Sequence, residues 1–301
     1  MGPQSAADGT ALANLADAVR DYTGLLRTID SAGLERPWAW GPYDGEGVRF
    51  SVFRTFEELR ELAVALAAAR VAAGRPSTEA SLFLAGHHLA QRDLWAMLGS
   101  PPEVALDQVP APGSWPLRKV LHHLIGADLG FLVVELDARE WLGQGGAPEA
   151  QPGLSDADWA RLAGLDDAAF DRQLAASLPE IRAYHEALHV RIVASLHALT
   201  SADLDRRTRF WDGLQARRFR LGRFESHLRQ HAIQAEMALL AVVGPPTESD
   251  RLARLVAGAQ AEVEAVMLDG PDVVEAGALL ALAKTIRART AEIGASLGVS
   301  A

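Results

Sequence analysis

The chain has 301 residues, of which 49% are hydrophobic and 23% charged, with a net charge of −10 and a pI near 5.4. This composition is typical of a folded globular protein with a sizeable core, and it excludes a disordered chain. The acidic balance argues against a nucleic-acid-binding surface. The absence of cysteine excludes disulfides, thiolate metal ligands and a cysteine nucleophile.

The sequence also predicts a cytoplasmic protein without a membrane span. The first residues, MGPQSAADGT, lack the charged segment and apolar run of a secretory signal. Apolar runs such as MALLAVVG are too short to cross a bilayer. A chain without cysteine fits a reducing compartment.

Helical periodicity runs through nearly the whole chain. Apolar residues recur at three- and four-residue intervals, strand-like alternation is almost absent, and Pro- and Gly-rich segments separate the periodic stretches. We therefore predict an all-α fold with helices at about 9–31, 54–73, 77–98, 116–141, 178–199, 218–243, 248–268 and 271–297.

Three histidines form a candidate metal site. His227 and His231 are four residues apart in FESHLRQHAIQAE, so on a helix both imidazoles point the same way and can share one ion. His123 lies in SWPLRKVLHHL, on the flank of the apolar arc of an earlier helix. One ligand from one helix and two from another is a common layout for metal sites in helical bundles.

Polar residues near these histidines are candidates for supporting roles. Gln234 lies close to the histidine pair, and Asp128 and Glu135 fall inside the apolar arc of helix 116–141, which is unusual for carboxylates. Either carboxylate would orient an imidazole, act as a general base, or sit at a helix rim without a chemical role. We give Asp128 and Gln234 the catalytic supporting roles.

The remaining histidines and arginines favour structural interpretations. His185 and His189 form a second pair four residues apart, which we interpret as polar residues of a helix face, and one of His87 and His88 is expected to be half-buried. Seven arginines lie between 206 and 223. This cluster favours a solvated loop and helix start over a pocket for an anionic substrate.

The stretch PAPGSWPLRKVLHHLIGADLGF resembles the DinB-like superfamily, in which a Trp opens the second helix and a metal-binding His follows two turns later. Trp115 and His123 match those positions, and His227 and His231 match the His-x-x-x-His pair of the family's last helix, with Gln234 as the Gln that often follows. The resemblance covers residues 77–243 and includes the order of helices and loops.

The resemblance implies an antiparallel four-helix bundle at 77–243 that holds a divalent metal, zinc or nickel, through His123, His227 and His231. Residues 1–76 then form an N-terminal helical extension, as a lid, a dimer arm or a degenerate half-bundle, and 244–301 a helical hairpin that packs on the bundle. Active relatives include bacillithiol- and mycothiol-dependent S-transferases. The resemblance therefore implies a small-molecule substrate and a low-molecular-weight thiol as partners. We expect no nucleic-acid or membrane partner, and a homodimer is left open.

Three imidazoles leave coordination positions open on such a metal, where a thiol or water loses its proton near neutral pH. A chain without its own thiol fits an S-transferase whose sulfur arrives with a cosubstrate, and it fits a metal hydrolase equally well. The competing class is a non-catalytic bundle, stabilised by metal, that acts as a binding or stress-response protein.

Overall fold

The computed structural model describes residues 3–39, 45–211, 213–268 and 273–298. Within them the chain is mostly helical, which confirms the predicted all-α class. Its elements are α1 (Pro3–Leu26), α2 (Ser31–Leu34), α3 (Val48–Ala72), α4 (Glu79–Leu98), α5 (Leu117–Gly143), α6 (Asp156–Ala163), α7 (Asp167–Leu174), α8 (Leu178–Leu196), α9 (Ser201–Asp205), β1 (Arg207–Phe210), β2 (Gly213–Ala216), α10 (Arg217–Val243), α11 (Glu248–Val266) and α12 (Val273–Leu297).

The long helices follow the apolar periodicity, and their starts follow capping chemistry. Ser177, Thr200 and Thr247 each accept a hydrogen bond from the third helical residue, whose carboxylate reaches back to the cap. Thr78 caps α4 by accepting from the Ser81 backbone N–H. The predicted helix 9–31 ends earlier, at Leu26. The predicted start at 271 lies outside the described residues.

The sequence missed the short elements. Helices α6, α7 and α9 span eight, eight and five residues, and β1 and β2 form an antiparallel hairpin of two four-residue strands. Elements this short do not complete enough turns or alternations to give a periodic signal. The hairpin matters for the site because it leads directly into α10.

Residues Thr78–Gly244 form one compact unit, here called unit 2, built on a four-helix bundle. Each long helix packs on two others, in the ring order α4, α10, α5, α8. Contacts between helices show in which direction each helix runs. Glu79–Arg218 and His87–Phe224 join α4 to α10, and His123–His231 and Glu135–Arg217 join α5 to α10. His87–His189 and Arg92–Glu186 join α4 to α8. The pairs α5/α10 and α4/α8 run antiparallel, the arrangement that the family resemblance implies for the bundle, whereas α4/α10 and α5/α8 run parallel.

Residues Met1–Ser77 and Pro245–Ala301 together form the other compact unit, here called unit 1. Helices α1, α12, α3 and α11 pack in a ring around their own apolar core, which includes Leu15, Val52 and Ile286. The sequence instead treats the two terminal segments as separate additions, with the second packing on the central bundle. Apolar faces on both segments close on each other, so each segment is half of one bundle.

The two units share one topology. In unit 1, α3 and α11 run parallel and α3 and α12 antiparallel, as shown by the pairs Arg49–Glu248, Arg60–Glu262, Glu58–Arg289 and Arg70–Glu275. The parallel second and third helices need a long connection back along the bundle. In unit 2 that connection carries α6 and α7, and in unit 1 it is the whole of unit 2.

Among the described helices, none combines the length and the apolar character needed to cross a membrane. All nine histidines of the chain lie between residues 87 and 231, within unit 2. The candidate metal chemistry is therefore confined to this unit.

Candidate metal centre

His123, His227 and His231 converge where α5 packs on α10. One ring nitrogen from each lies within 4.8 Å of the others, an arrangement that can hold a metal ion. The Nε2 atoms of His123 and His231 are 3.2 Å apart. Two nitrogens at about 2.0–2.1 Å from a shared tetrahedral zinc would be about 3.3 Å apart, so the observed spacing fits that donor set.

Two of the three imidazoles are suited to metal binding because their surroundings favour the neutral form. Burial, followed by the neighbouring His231 and His123, lowers the pKa of His227 to about 4. Burial and His231 also lower the pKa of His123. A neutral imidazole keeps the lone pair that a metal needs.

Gln234 holds one of these rings in place. The Nδ1–H of His231 donates a hydrogen bond to Oε1 of Gln234 at 2.9 Å. Because the amide oxygen can only accept, the ring proton sits on Nδ1 and the lone pair is on Nε2, which faces His123. This contact is the one that an orienting role for Gln234 requires.

The cluster lies between an aromatic wall and solvent. His227 is 8% exposed and meets the edge of Phe131 at 5.5 Å between ring centroids, with Trp211 of the hairpin connection 5.4 Å beyond Phe131. His123 is exposed and packs edge-on against Trp115 at 5.5 Å. External ligands can therefore approach from the His123 side.

Asp128, the predicted catalytic carboxylate, is fully buried in the middle of the bundle. Its Oδ2 accepts hydrogen bonds from Nε2–H of His87 at 2.9 Å and of His185 at 3.0 Å. Burial by itself raises the pKa of Asp128, but these two histidines outweigh burial and lower the pKa to about 2. The carboxylate is therefore ionised at neutral pH, while no described residue gives its Oδ1 a hydrogen-bond partner.

The two other histidine pairs form a chain with Asp128. Trp95 donates to Nδ1 of His185 at 3.2 Å, so this ring is protonated on Nε2. On the other side, His88 lies 2.9 Å from His189 and His189 lies 3.3 Å from Nδ1 of His87. One set of neutral tautomers satisfies every contact, with His88 donating to His189 and His189 to His87.

The expectation that His185 and His189 are polar residues of a helix face was therefore wrong, and His87 and His88 are both buried. These side chains point inward because partners on facing helices satisfy their ring nitrogens, which offsets the cost of burial. The sequence of one helix indicates which of its residues share an apolar face. It does not indicate whether another helix offers a polar partner to a histidine on that face.

Glu135 belongs to a different buried cluster. Its carboxylate accepts from Nε of Arg217 at 2.8 Å and from Nη1 of Arg220 at 3.2 Å. Both arginines are buried, so the solvated-loop interpretation was wrong for these two members of the arginine cluster. This ion triad ties the first turn of α10 to α5.

The family model of the DinB superfamily matches residues 87–235. These residues form a DinB superfamily domain. The matched range includes His123, His227, His231 and Gln234, and the four-helix bundle of unit 2 is the DinB fold. No curated protein and no solved structure matches the chain.

The DinB domain also holds the residues that the sequence did not connect. The chain of buried histidines around Asp128 lies entirely inside the matched range. The sequence signal for this chain of histidines is an adjacent pair on α4 and a pair spaced by four on α8. It indicates a buried network only once α4 and α8 are known to face each other.

Proposed function

We propose that this protein is a metal-dependent enzyme that brings a small thiol or a water to an electrophilic small molecule. The observation that carries the proposal is the open cluster of three imidazoles on two helices, with His123 exposed and His227 buried. We place its work in the cytoplasm, where low-molecular-weight thiols are reduced.

Each residue of the centre has a role in this proposal. His123, His227 and His231 would hold a divalent ion, with zinc or nickel expected, and Gln234 would orient His231 through the bond to Nδ1. Such an ion lowers the pKa of a coordinated thiol or water toward neutrality. Phe131 and Trp211 provide an apolar wall beside His227 for the body of the electrophile.

A non-catalytic role rests on a different observation. The three histidines tie α5 to α10, so a bound ion would cross-link these helices and stabilise the bundle. In that case the metal should stabilise the protein without any reaction at its open side. Activity toward a thiol and an electrophile separates the two functions.

Metal analysis of matched variants tests the proposal. The wild-type protein should carry about one divalent ion per chain, and His227→Ala should lose it. His189→Ala is the matched control, because His189 is also a buried histidine in a pair spaced by four but does not contact the cluster. Equal loss of metal from both variants, with helix content retained, would show that the ligands are misassigned.

An activity assay tests the chemistry. The metal-loaded protein is mixed with a low-molecular-weight thiol and a chromogenic electrophile, and separately with a chromogenic ester. Turnover should disappear on chelation and return when the ion is restored. A metal-loaded protein that accelerates neither reaction but melts at a higher temperature than the metal-free form supports the non-catalytic role.

A further inference from the structure

We propose that Asp128 is a positioning residue for His227: its Oδ1 accepts the Nδ1–H of His227, directly or through one buried water, and so fixes which ring nitrogen faces the metal. The inference rests on the proposed metal site and extends it to the centre of the bundle.

Both atoms are buried, and neither has a hydrogen-bond partner among the described residues. Oδ1 of Asp128 is an acceptor inside the bundle, and Nδ1 of His227 is the matching ring nitrogen on the neighbouring helix. A buried polar atom without a partner costs about 1–3 kcal/mol. An acceptor and a potential donor in the same interior therefore satisfy each other, or share a bridging water.

The helices bring the two groups together. Asp128 follows His123 by five residues on α5, which places it more than one turn deeper, and α5 packs on α10. His227 packs against His123 and Phe131, which lie before and after Asp128 on α5, with ring centroids 5.1 and 5.5 Å apart.

The remaining contacts of Asp128 leave one oxygen for this purpose. His87 on α4 and His185 on α8 both donate to Oδ2 and keep the carboxylate ionised. With His227 on Oδ1, each of the four bundle helices would contribute one side chain to a single hydrogen-bonded group. Three of the four are histidines whose orientation the carboxylate determines.

The consequence concerns the tautomer of His227. The hydrogen bond made by one ring nitrogen decides which nitrogen is available to a metal. An N–H held by Asp128 on Nδ1 leaves the lone pair on Nε2, as Gln234 does for His231. Metal-binding histidines usually have such an outer partner, and losing it typically weakens metal binding by about 10–100-fold.

The test is nitrogen NMR of the full-length protein labelled on its histidine rings, with His227 assigned from the signals lost in His227→Gln. In the wild type, His227 should be the Nδ1–H tautomer both without metal and with zinc bound. Asp128→Asn should abolish this preference and weaken zinc binding by about 10–100-fold in a competition titration. His189→Gln disturbs the same buried network away from His227, so it should keep the tautomer and bind zinc within about 3-fold of wild type.

The outcomes separate this inference from the proposed function. An Nε2–H tautomer of His227 in the metal-free wild type would overturn the role of Asp128, even if zinc binds. Asp128→Asn with an unchanged tautomer and unchanged zinc affinity would overturn it as well. An Nδ1–H tautomer lost in Asp128→Asn, in a protein that binds no metal, would support the hydrogen bond and reject the metal site alone.

Discussion

Removing Glu135 should strongly destabilise unit 2. Its carboxylate is the shared partner of Arg217 and Arg220, and all three side chains are at most 3% exposed. Within the described part of the chain, Nη2 of Arg217 and both Nε and Nη2 of Arg220 are already buried without hydrogen-bond partners. Glu135→Ala therefore leaves two buried guanidinium groups with no carboxylate, and such a change costs about 3–5 kcal/mol.

Two comparison variants separate charge from shape. Glu135→Gln keeps one acceptor oxygen, so it should cost less than the alanine substitution, on the order of 1.5–3 kcal/mol. The triple variant E135M/R217M/R220M removes every charge while filling the volume. It should be neutral or more stable than the wild type by about 1–4 kcal/mol, as found when buried ion clusters become apolar.

Urea unfolding followed by tryptophan fluorescence measures these effects in the relevant unit, because five of the seven tryptophans lie between residues 78 and 244. With a slope of about 1–3 kcal/mol per M, a loss of about 4 kcal/mol moves the midpoint by more than about 1 M. A loss below about 1 kcal/mol for Glu135→Ala would refute the reasoning, since it would mean that water already hydrates the two arginines.

Two further predictions concern acid and the core of unit 1. Burial, followed by the neighbouring histidines and Arg92, holds the pKa of His189 well below 6.5 in the folded protein. Below pH 6.5 the unfolded chain therefore takes up a proton that the folded protein refuses, so this residue lowers stability by about 1.4 kcal/mol per pH unit until its own folded pKa is reached. In metal-free protein His189→Gln should flatten the fall in unfolding free energy between pH 6.5 and 5, and parallel curves would contradict the assignment. Leu59→Ala removes a side chain that is 0% exposed in unit 1 and should lower the free energy of unfolding by about 2–5 kcal/mol. Val64→Ala, at a 62% exposed position of the same helix, should lower it by less than about 0.5 kcal/mol. Thermal unfolding followed by circular dichroism measures both changes.

The sequence predicts the long helices and the histidine cluster because both depend on spacing within a helix. His227 and His231 share a face whatever the rest of the chain does, and the Trp-led segment supplies His123. The network around Asp128 could not be predicted in the same way. Its hydrogen bonds join residues 41 and 57 positions apart, and periodicity indicates which face is buried but not which helix covers it.

The same limit explains unit 1. Each terminal segment has apolar helices, but their pairing with each other depends on contacts such as Trp38–Glu292, across 254 positions. A local pattern contains no information about a partner so far away. The sequence predicts different places for the two segments because periodicity relates each helix only to its neighbours along the chain.

The split of unit 1 also affects the order in which the two units can fold during synthesis. Helices α1 and α3 leave the ribosome before unit 2, whereas their partners α11 and α12 leave it only after the whole of unit 2. Domains fold as units during synthesis, at about 5–20 residues per second, so the DinB domain has time to form while the first half-bundle still exposes its apolar faces. Once folded, it acts as a compact link in place of a flexible loop, which reduces the entropy lost when the two halves finally meet.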